Sequence, residues 1–242
     1  MNVNETAIRL VPTLKCNNRK RSLAFFTENL GMTLLLEESA WSLLGDKSKC
    51  EKLTLEESPA NRTRQVNGLK KLAKLVLKVA NPEEIESLLA RGASYTKLYH
   101  GEAGYAFESL SPEGDCILLH AEEQLANLVE VNADNFHLQA DFTGLTTFEV
   151  EQVVLHVPDK TASQAFYDQF FAGSDQLAFV EASGADLELP TEVTWDLSQL
   201  KFVLQDLDVA AIKAVLPQAF VPKNEKFVSV LDPSKIELWF EA

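Results

Sequence analysis

The chain has little of several features that define common protein classes. It holds three cysteines among 242 residues, Cys16, Cys50 and Cys116, and no Cys-x-x-Cys pair. Such a set indicates neither a disulfide framework nor a structural zinc site. No apolar run approaches the roughly 20 residues that a membrane-spanning helix requires. Residues 1–6 also lack the basic and apolar regions of a secretory signal, so we expect a cytoplasmic protein. We expect it outside the cell or at the cell surface only if a route other than a secretory signal releases it.

Basic residues are scarce in the second half of the chain. Up to Glu130 there are 16 Lys and Arg and 18 Asp and Glu, a formal charge of −2, whereas from Val131 onward there are 6 and 18, a charge of −12. An acidic protein of this kind repels phosphate backbones and anionic lipid, so we expect neither nucleic-acid nor membrane binding. The hydrophobic content of 46% is that of a globular chain, which excludes wholesale disorder.

The motifs of the common proteinases are also missing. The sequence has no His-Glu-x-x-His, no Gly-x-Ser-x-Gly and no Asp-Thr-Gly. Cys116 and His120 share one face of a predicted strand, but four strand residues separate them by about 13 Å, too far for a Cys–His pair. The residues therefore give proteolysis no independent support.

What the sequence does contain is a strand followed by a helix, four times over. The predicted strand and helix pairs are 7–17 with 19–30, 72–79 with a helix after Asn81-Pro82, 149–157 with 160–171, and 199–204 with about 207–216. Further strands follow each helix, so the repeat predicts four β-α-β-β-β units and an α+β fold. We expect two domains, residues 1–126 and 146–242, with a linker over residues 127–145.

This arrangement resembles the vicinal oxygen chelate (VOC) superfamily of glyoxalases, extradiol dioxygenases and bleomycin-resistance proteins. The helix motif of that superfamily is similar to Asn18 followed by Ser22-Leu-Ala-Phe-Phe-Thr-Glu-Asn-Leu-Gly31, and more loosely to Val157-Pro-Asp159 with Phe166-Tyr167. Its closing hairpin is similar to Ser111-Pro-Glu-Gly-Asp-Cys-Ile-Leu-Leu119 and Asp232-Pro-Ser-Lys-Ile-Glu-Leu238. The resemblance implies two tandem VOC domains whose mixed sheets curl into cups.

The whole sequence more narrowly resembles the CppA family, which is described as a proteinase that degrades the third component of complement. That activity, and a complement protein as partner, are what this resemblance implies. A homodimer is left open, because strands exchange between chains in the VOC superfamily.

The VOC resemblance also implies where metal ligands would stand. In the first domain the matching positions are Val11, Lys74 and Leu118, with Glu56 near the remaining one. A valine, a lysine and a leucine cannot hold a divalent cation. In the second domain the matching positions are Gln152, Gln199 and Glu237, with Glu188 a looser candidate, and His156 shares the strand face of Gln152. We take Gln152, His156, Gln199 and Glu237 as the ligand-binding residues and assign no cofactor and no metal ligand.

Three functions remain open at this stage. The family resemblance implies a proteinase. The missing metal ligands favour a non-catalytic module that binds a small molecule or peptide in the second-domain cup. A metal-dependent enzyme of lyase or dioxygenase type would hold a divalent ion with Gln152, His156 and Glu237, since amide and carboxylate oxygens serve hard or borderline cations.

The segment Ser58 to Lys71 is the most basic stretch between units. It carries Arg62, Arg64, Lys70 and Lys71. We expect a solvated connecting loop there rather than an anion site.

Overall fold

A computed structural model describes residues 7–242, so the residues 1–6 on which the expectation about a signal rests lie outside the described part. The strands are β1 Ala7–Cys16, β2 Thr33–Glu38, β3 Trp41–Gly45, β4 Glu51–Glu57, β5 Leu72–Val79, β6 Lys97–His100, β7 Tyr105–Leu110, β8 Cys116–His120, β9 Val129–Glu130, β10 Phe148–Val157, β11 Leu177–Glu181, β12 Leu197–Leu204, β13 Phe227–Leu231 and β14 Glu237–Glu241. The helices are α1 Arg19–Ala24, extended by a π-helical turn over Phe25–Asn29, α2 Pro82–Ala90, α3 Lys160–Phe171 and α4 Val209–Val215, with a 3₁₀ turn at Leu125–Asn127.

These strands form two mixed seven-stranded sheets. The first sheet has the order β13-β14-β12-β1-β4-β3-β2, and the second has the order β11-β10-β5-β8-β7-β6-β9. Antiparallel pairing of β1 with β12 joins the first repeat to the fourth, and antiparallel pairing of β10 with β5 joins the third repeat to the second. The predicted α+β class is confirmed, and each sheet draws one repeat from either half of the chain.

The third and fourth repeats carry fewer strands than the sequence predicts. One strand, β11, follows α3, and two strands, β13 and β14, follow α4. Residues 182–196 form turns and an isolated bridge between Arg64 and Thr194 in place of a strand pair. Gly184 and Pro190 interrupt this segment, and neither residue type suits a central strand.

Local sequence explains where the helices begin. The side chains of Asn18, Asn81, Asp159 and Asp208 accept hydrogen bonds from backbone N–H groups in the first turns of α1 to α4. Such caps satisfy donors that have no partner inside the helix. In α2 the cap is followed by Pro82 at the first helical position, which fits its fixed φ. The predicted helix starts at 19, 82 and 160 are thus confirmed, and α4 is shorter than predicted.

One apolar core lies between the sheets and their helices. Alternate residues of the central strands point into it, among them Leu14, Leu75, Leu155, Leu200 and Phe202. The side chains between these residues point to the opposite faces of the sheets, because successive strand residues alternate. We call these opposite faces the open faces.

The segment between residues 127 and 145 is packed rather than loose. Phe142 and Leu145 are buried in the core, and the Leu145 N–H donates to the Gly31 carbonyl at 2.8 Å. Gly144 has a φ of 123°, and a Cβ there would lie 2.8 Å from the Gly31 oxygen. Glycine is therefore required at residue 144 for this close approach.

Among residues 7–242, no helix is long and apolar enough to cross a membrane.

Candidate functional site

The open face of the first sheet carries a row of polar side chains on three neighbouring strands. Gln199 on β12 lies directly opposite Thr13 on β1 and Glu237 on β14. The Gln199 amide donates from Nε2 to Glu237 Oε2 at 2.9 Å, and its Oε1 accepts from Thr13 Oγ1 at 3.4 Å. Strand register alone brings these three residues together, so the first and fourth repeats build the row jointly.

A second row crosses β3, β4 and β1 beside the first. Lys15 lies opposite Glu56, which lies opposite Trp41. The Lys15 ammonium stands 3.4 Å from a Glu56 carboxylate oxygen, and the Ser198 hydroxyl donates to the other oxygen at 3.4 Å. Lys15 is nearly buried despite its charge, so this ion pair fixes the long side chain in place.

Apart from Thr13, which is buried beneath Gln199, the residues of the two rows form the floor of a pocket of about 480 Å³. Trp41 and Leu231 add apolar surface at its margin, and residues 190–192 with Lys235 complete the wall. Binding sites for small ligands have volumes of about 300–1,000 Å³ and combine apolar walls with a few placed polar groups. We call this feature the first-sheet pocket.

The pocket wall is held by the segment that the sequence led us to expect as a solvated connector. The Arg64 guanidinium donates to both carboxylate oxygens of Asp186, at 2.6 and 2.9 Å, and the Asn67 N–H donates to Asp186 at 2.7 Å. The hydrogen bond from Arg64 lowers the pKa of Asp186. The Arg64 side chain is exposed, as expected for a solvated loop, but it is anchored to a carboxylate 122 residues away, which local sequence cannot indicate.

Lys70 and Lys71, at the end of the same connector, are not solvated, so the expectation was wrong for these two residues. Lys70 forms an ion pair with Asp115 at 2.5 Å. Lys71 is buried, and its ammonium donates to the Leu189 carbonyl at 2.6 Å and to the Ser234 carbonyl at 2.5 Å. Burial lowers the pKa of Lys71. Lys71 thus ties the start of β5 to the segment that forms the pocket wall.

The four predicted ligand-binding residues lie on two different sheets. Gln199 and Glu237 line the first-sheet pocket. Gln152 and His156 lie on β10 of the second sheet, where Gln152 donates to the Asp175 carbonyl at 2.8 Å and His156 Nδ1 donates to the Lys70 carbonyl at 2.8 Å. The structure brings the first two together in one site and uses the other two to hold neighbouring backbone.

Sequence reasoning missed Lys15, Trp41 and most of the wall. Glu56 was noticed only as a loose match to a last-strand position. The signal that could have found Lys15 is its period-two spacing from Thr13 on a strand whose other residues, apart from Arg9, are apolar. Which repeats pair with each other could not be deduced from that spacing.

The open face of the second sheet carries ion pairs instead. Lys74 pairs with Glu108, and Lys78 lies 2.9 Å from Glu123. His120 is completely buried, and its Nε2 donates to Glu151 Oε2 at 2.8 Å while its Nδ1 accepts from the Glu122 N–H at 3.2 Å. These charged groups satisfy one another across the strands.

The first-sheet pocket does not have the donor set of a divalent metal site. Its candidates are the Gln199 amide and the carboxylates of Glu56, Glu192 and Glu237, with the Lys15 ammonium beside Glu56. The lining contains no histidine, and Gln199 turns its N–H toward Glu237. Within the described ranges, no group of three or more His, Cys, Asp or Glu is arranged to hold a metal ion.

Cys16 and Cys116 are poorly suited to act as nucleophiles. Burial raises the pKa of Cys16 to about 12 and also raises the pKa of Cys116. A thiol acts as a nucleophile only as the thiolate, which a raised pKa disfavours. His120 is engaged by Glu151 and by the Glu122 N–H.

Comparison with known proteins follows the two halves of the chain. The CppA N-terminal family model matches residues 9–131, and the CppA C-terminal model matches residues 145–240. The chain belongs to the CppA family. A crystal structure of the cppA protein from Streptococcus pneumoniae TIGR4 is 46% identical, with a TM-score of 0.91, covering 98% of this chain and 99% of that one. No curated protein matches the chain.

More distant structures share the fold of this chain. Glyoxalase I from Zea mays is 14% identical, with a TM-score of 0.58 over 96% of this chain and 92% of that one. A putative dioxygenase from Bacillus subtilis subsp. subtilis str. 168 is 11% identical, with a TM-score of 0.63 over 98% and 85%. The predicted VOC-type fold is confirmed, and at these identities the likeness extends to the fold alone.

Proposed function

We propose that the protein is a non-catalytic, metal-free binding module that holds a small molecule or a peptide in the first-sheet pocket. The observation that carries this proposal is the row Thr13–Gln199–Glu237, hydrogen-bonded across three strands at the floor of a 480 Å³ pocket. The site combines residues of both halves of the chain, instead of lying in a cup of the second half alone.

The pocket residues suit recognition better than chemistry. Glu237 keeps one carboxylate oxygen, Oε1, outside the bond to Gln199, so it can accept a donor from a ligand. Trp41 and Leu231 offer apolar surface at the margin. Fixed polar groups beside apolar surface orient a ligand, whereas a hydrolase requires an activated nucleophile or a metal-bound water.

Thermal unfolding with a metabolite library and with peptide pools tests the proposal, because a ligand that binds only the folded state raises Tm. At least one ligand is expected to raise the Tm of the wild type and to lose that effect in Gln199→Ala. Gln152→Ala is the matched control, since it removes the same side chain from the second sheet. If no ligand raises Tm, or if Gln152→Ala and Gln199→Ala respond alike, the pocket assignment is wrong.

Metal analysis tests the other half of the proposal. Untagged protein is reconstituted with divalent zinc, nickel, manganese or iron, desalted and measured by mass spectrometry for bound metal. We expect less than one ion per ten chains. One tightly bound ion per chain that disappears in Glu237→Ala would instead support the metal-dependent enzyme.

Proteolysis of the third complement component is supported here by the family resemblance alone. Incubation of purified protein with that substrate, beside Cys116→Ala and Glu237→Ala, decides between the two functions. We expect no cleavage. Cleavage that one of these substitutions abolishes would replace the binding module with a proteinase.

A further inference from the structure

We propose that the first-sheet pocket and an apolar groove beside it form one surface for an extended peptide segment with a basic residue toward β14 and a large apolar side chain about six residues away toward β3. This inference rests on the proposed function and names the ligand class for the same site. The apolar groove consists of Leu36, Trp41 and Leu43.

The apolar groove adjoins the first-sheet pocket directly. It has a volume of about 300 Å³ and is lined by its three apolar residues with Glu38 and Ser39. Trp41 lines both cavities. Leu36 is 48% exposed and Trp41 is 40% exposed, so apolar area is available for burial by a ligand. A single ligand can therefore contact the groove and the pocket floor at once.

The charges along this surface favour a cation. Four carboxylates line the two cavities, against two ammonium groups, those of Lys15 and Lys235. The carboxylates belong to Glu38, Glu56, Glu192 and Glu237. The Lys15 charge is directed at Glu56, and Glu237 meets a neutral amide. At the other end of the surface, the carboxylates of Glu237 and the exposed Glu192 outnumber the exposed Lys235 ammonium, so this end keeps a net negative charge. A basic side chain is the complementary group.

The sheet geometry gives the spacing between the two anchors. Glu237 on β14 and Trp41 on β3 are separated by the strands β12, β1 and β4. Four strand spacings of about 4.8 Å place these positions about 19 Å apart along the sheet. An extended chain advances about 3.3 Å per residue, so two residues about six positions apart span that distance, and because successive side chains alternate, both point to the same face.

Charge also selects among possible occupants. A second copy of the chain brings a formal net charge of −14 of its own, and like charges oppose association. A compact metabolite does not reach both anchors, whereas a short extended peptide does. The peptide is therefore the occupant that matches the length, the apolar end and the acidic end together.

The test uses the full chain on an array of heptapeptides with acetylated and amidated ends, in which every pair of positions is varied. We expect enrichment of Lys or Arg at one end together with Leu, Phe, Trp or Met at the other. Absence of enrichment, or preference for Asp and Glu, overturns the inference. If metabolites raise Tm through Gln199 while the array shows no preference, the peptide inference fails and the proposed function stands; if neither class binds, both fail.

Substitutions separate the two anchors. Glu237→Gln is expected to weaken binding of basic peptides about tenfold and to leave unchanged the binding of peptides with Gln in place of the basic residue. Trp41→Ser is expected to remove the apolar preference and keep the basic one. Glu192→Gln gives a smaller loss of the basic preference and tests the same end without touching the pocket floor.

Two substitutions on the second sheet control for nonspecific effects. Glu123→Gln removes an exposed carboxylate and Leu110→Ser removes an exposed apolar side chain, and neither residue lines the first-sheet pocket. Both are expected to bind peptides as the wild type does. Equal losses in Trp41→Ser and Leu110→Ser, with unchanged Tm, contradict the groove as the apolar anchor.

Discussion

The two sheets have the same repeat-built topology, yet their open faces differ in what the polar side chains do. On the first sheet, Thr13, Gln199 and Glu237 are linked at the floor of a pocket. On the second sheet, Lys78 and His120 both approach Glu151, so the charges neutralise one another. The comparison teaches that two sheets of the same topology can differ in whether they form a binding site. The topology fixes the positions of the side chains, and a few side chains at those positions determine the chemistry.

The largest expected effect concerns the joint between the sheets. Asp196 precedes β12 of the first sheet, and its carboxylate accepts from the N–H groups of Lys71 at 2.6 Å and Leu72 at 3.2 Å at the start of β5, as well as from Leu197 at 2.8 Å. Asp196→Ala leaves these buried donors without a partner, each costing about 1–3 kcal/mol. We expect urea unfolding to give a loss of about 4 kcal/mol in the free energy of unfolding.

The exposed Asp206 supplies the control for this substitution. Asp206→Ala is expected to change the free energy of unfolding by less than about 0.5 kcal/mol. If Asp196→Ala costs less than about 1 kcal/mol, the two sheets are not joined through this carboxylate.

A second prediction concerns the pH response of the first sheet. Burial raises the pKa of Asp232, between β13 and β14, from 3.8 to about 6, and the carboxylate accepts from Tyr167 Oη at 2.9 Å and from the Ile236 N–H at 2.7 Å. Because the folded state holds this proton more tightly, the stabilisation is complete below pH 3.8 and is lost as the pH rises through about 6. The loss is at most about 3 kcal/mol.

Unfolding in urea from pH 4 to pH 7, in the wild type and in Asp232→Asn, measures this dependence. The asparagine keeps the shape and an acceptor for Ile236 but does not titrate. We expect the stability difference between the two proteins to change with pH in favour of Asp232→Asn at pH 7. A difference that is constant over this range contradicts a raised pKa.

The second sheet is expected to respond to pH with the opposite sign. Burial lowers the pKa of His120 below 6.5, and the nearby positive charge of Lys78 lowers it further. Glu151 and Glu122 act in the opposite direction and raise this pKa, but burial is the largest effect. The stabilisation is therefore present above pH 6.5 and is lost as the pH falls through the lowered pKa. An NMR titration of the His120 ring is expected to show a midpoint below 6.5, and a midpoint above that value refutes this assignment.

How much of this arrangement the sequence could predict depends on the range of the interactions. Asn81 with Pro82, and Asp159, marked helix starts correctly because a cap bonds within three residues. The pairing of β1 with β12 joins residues almost 190 positions apart, and period-two spacing says which face a residue occupies but not which strand lies beside it. Gln199 and Glu237 were found because both lie in the fourth repeat.

The same limit explains the error at the basic connector. Arg64 lies in a stretch without regular periodicity, which is typical of a solvated loop. Its partner Asp186 lies in the segment 182–196, which forms turns where strands were predicted. The sequence pattern therefore did not indicate that Arg64 and Asp186 are in contact. Burial of Lys71 likewise depends on carbonyls at residues 189 and 234.

The smallest expected effect separates two glutamines that looked equivalent in the sequence. Gln152 contacts a backbone carbonyl at the surface of the second sheet, so Gln152→Ala is expected to change the free energy of unfolding by less than about 0.5 kcal/mol. Gln199→Ala removes the link between Thr13 and Glu237, and we expect a loss of about 1 kcal/mol.

Urea unfolding of these two variants, beside the double variant, completes the comparison of the sheets. The two sites share no partner, so their effects are expected to add within about 0.5 kcal/mol. A clear departure from additivity shows that the two open faces are coupled. A larger loss in the free energy of unfolding for Gln152→Ala than for Gln199→Ala shows that the second sheet holds the more important polar group. Either result moves the search for a ligand from the first sheet to the second. The reason is that the glutamine whose substitution lowers the free energy of unfolding marks the open face on which polar side chains form a linked set of contacts.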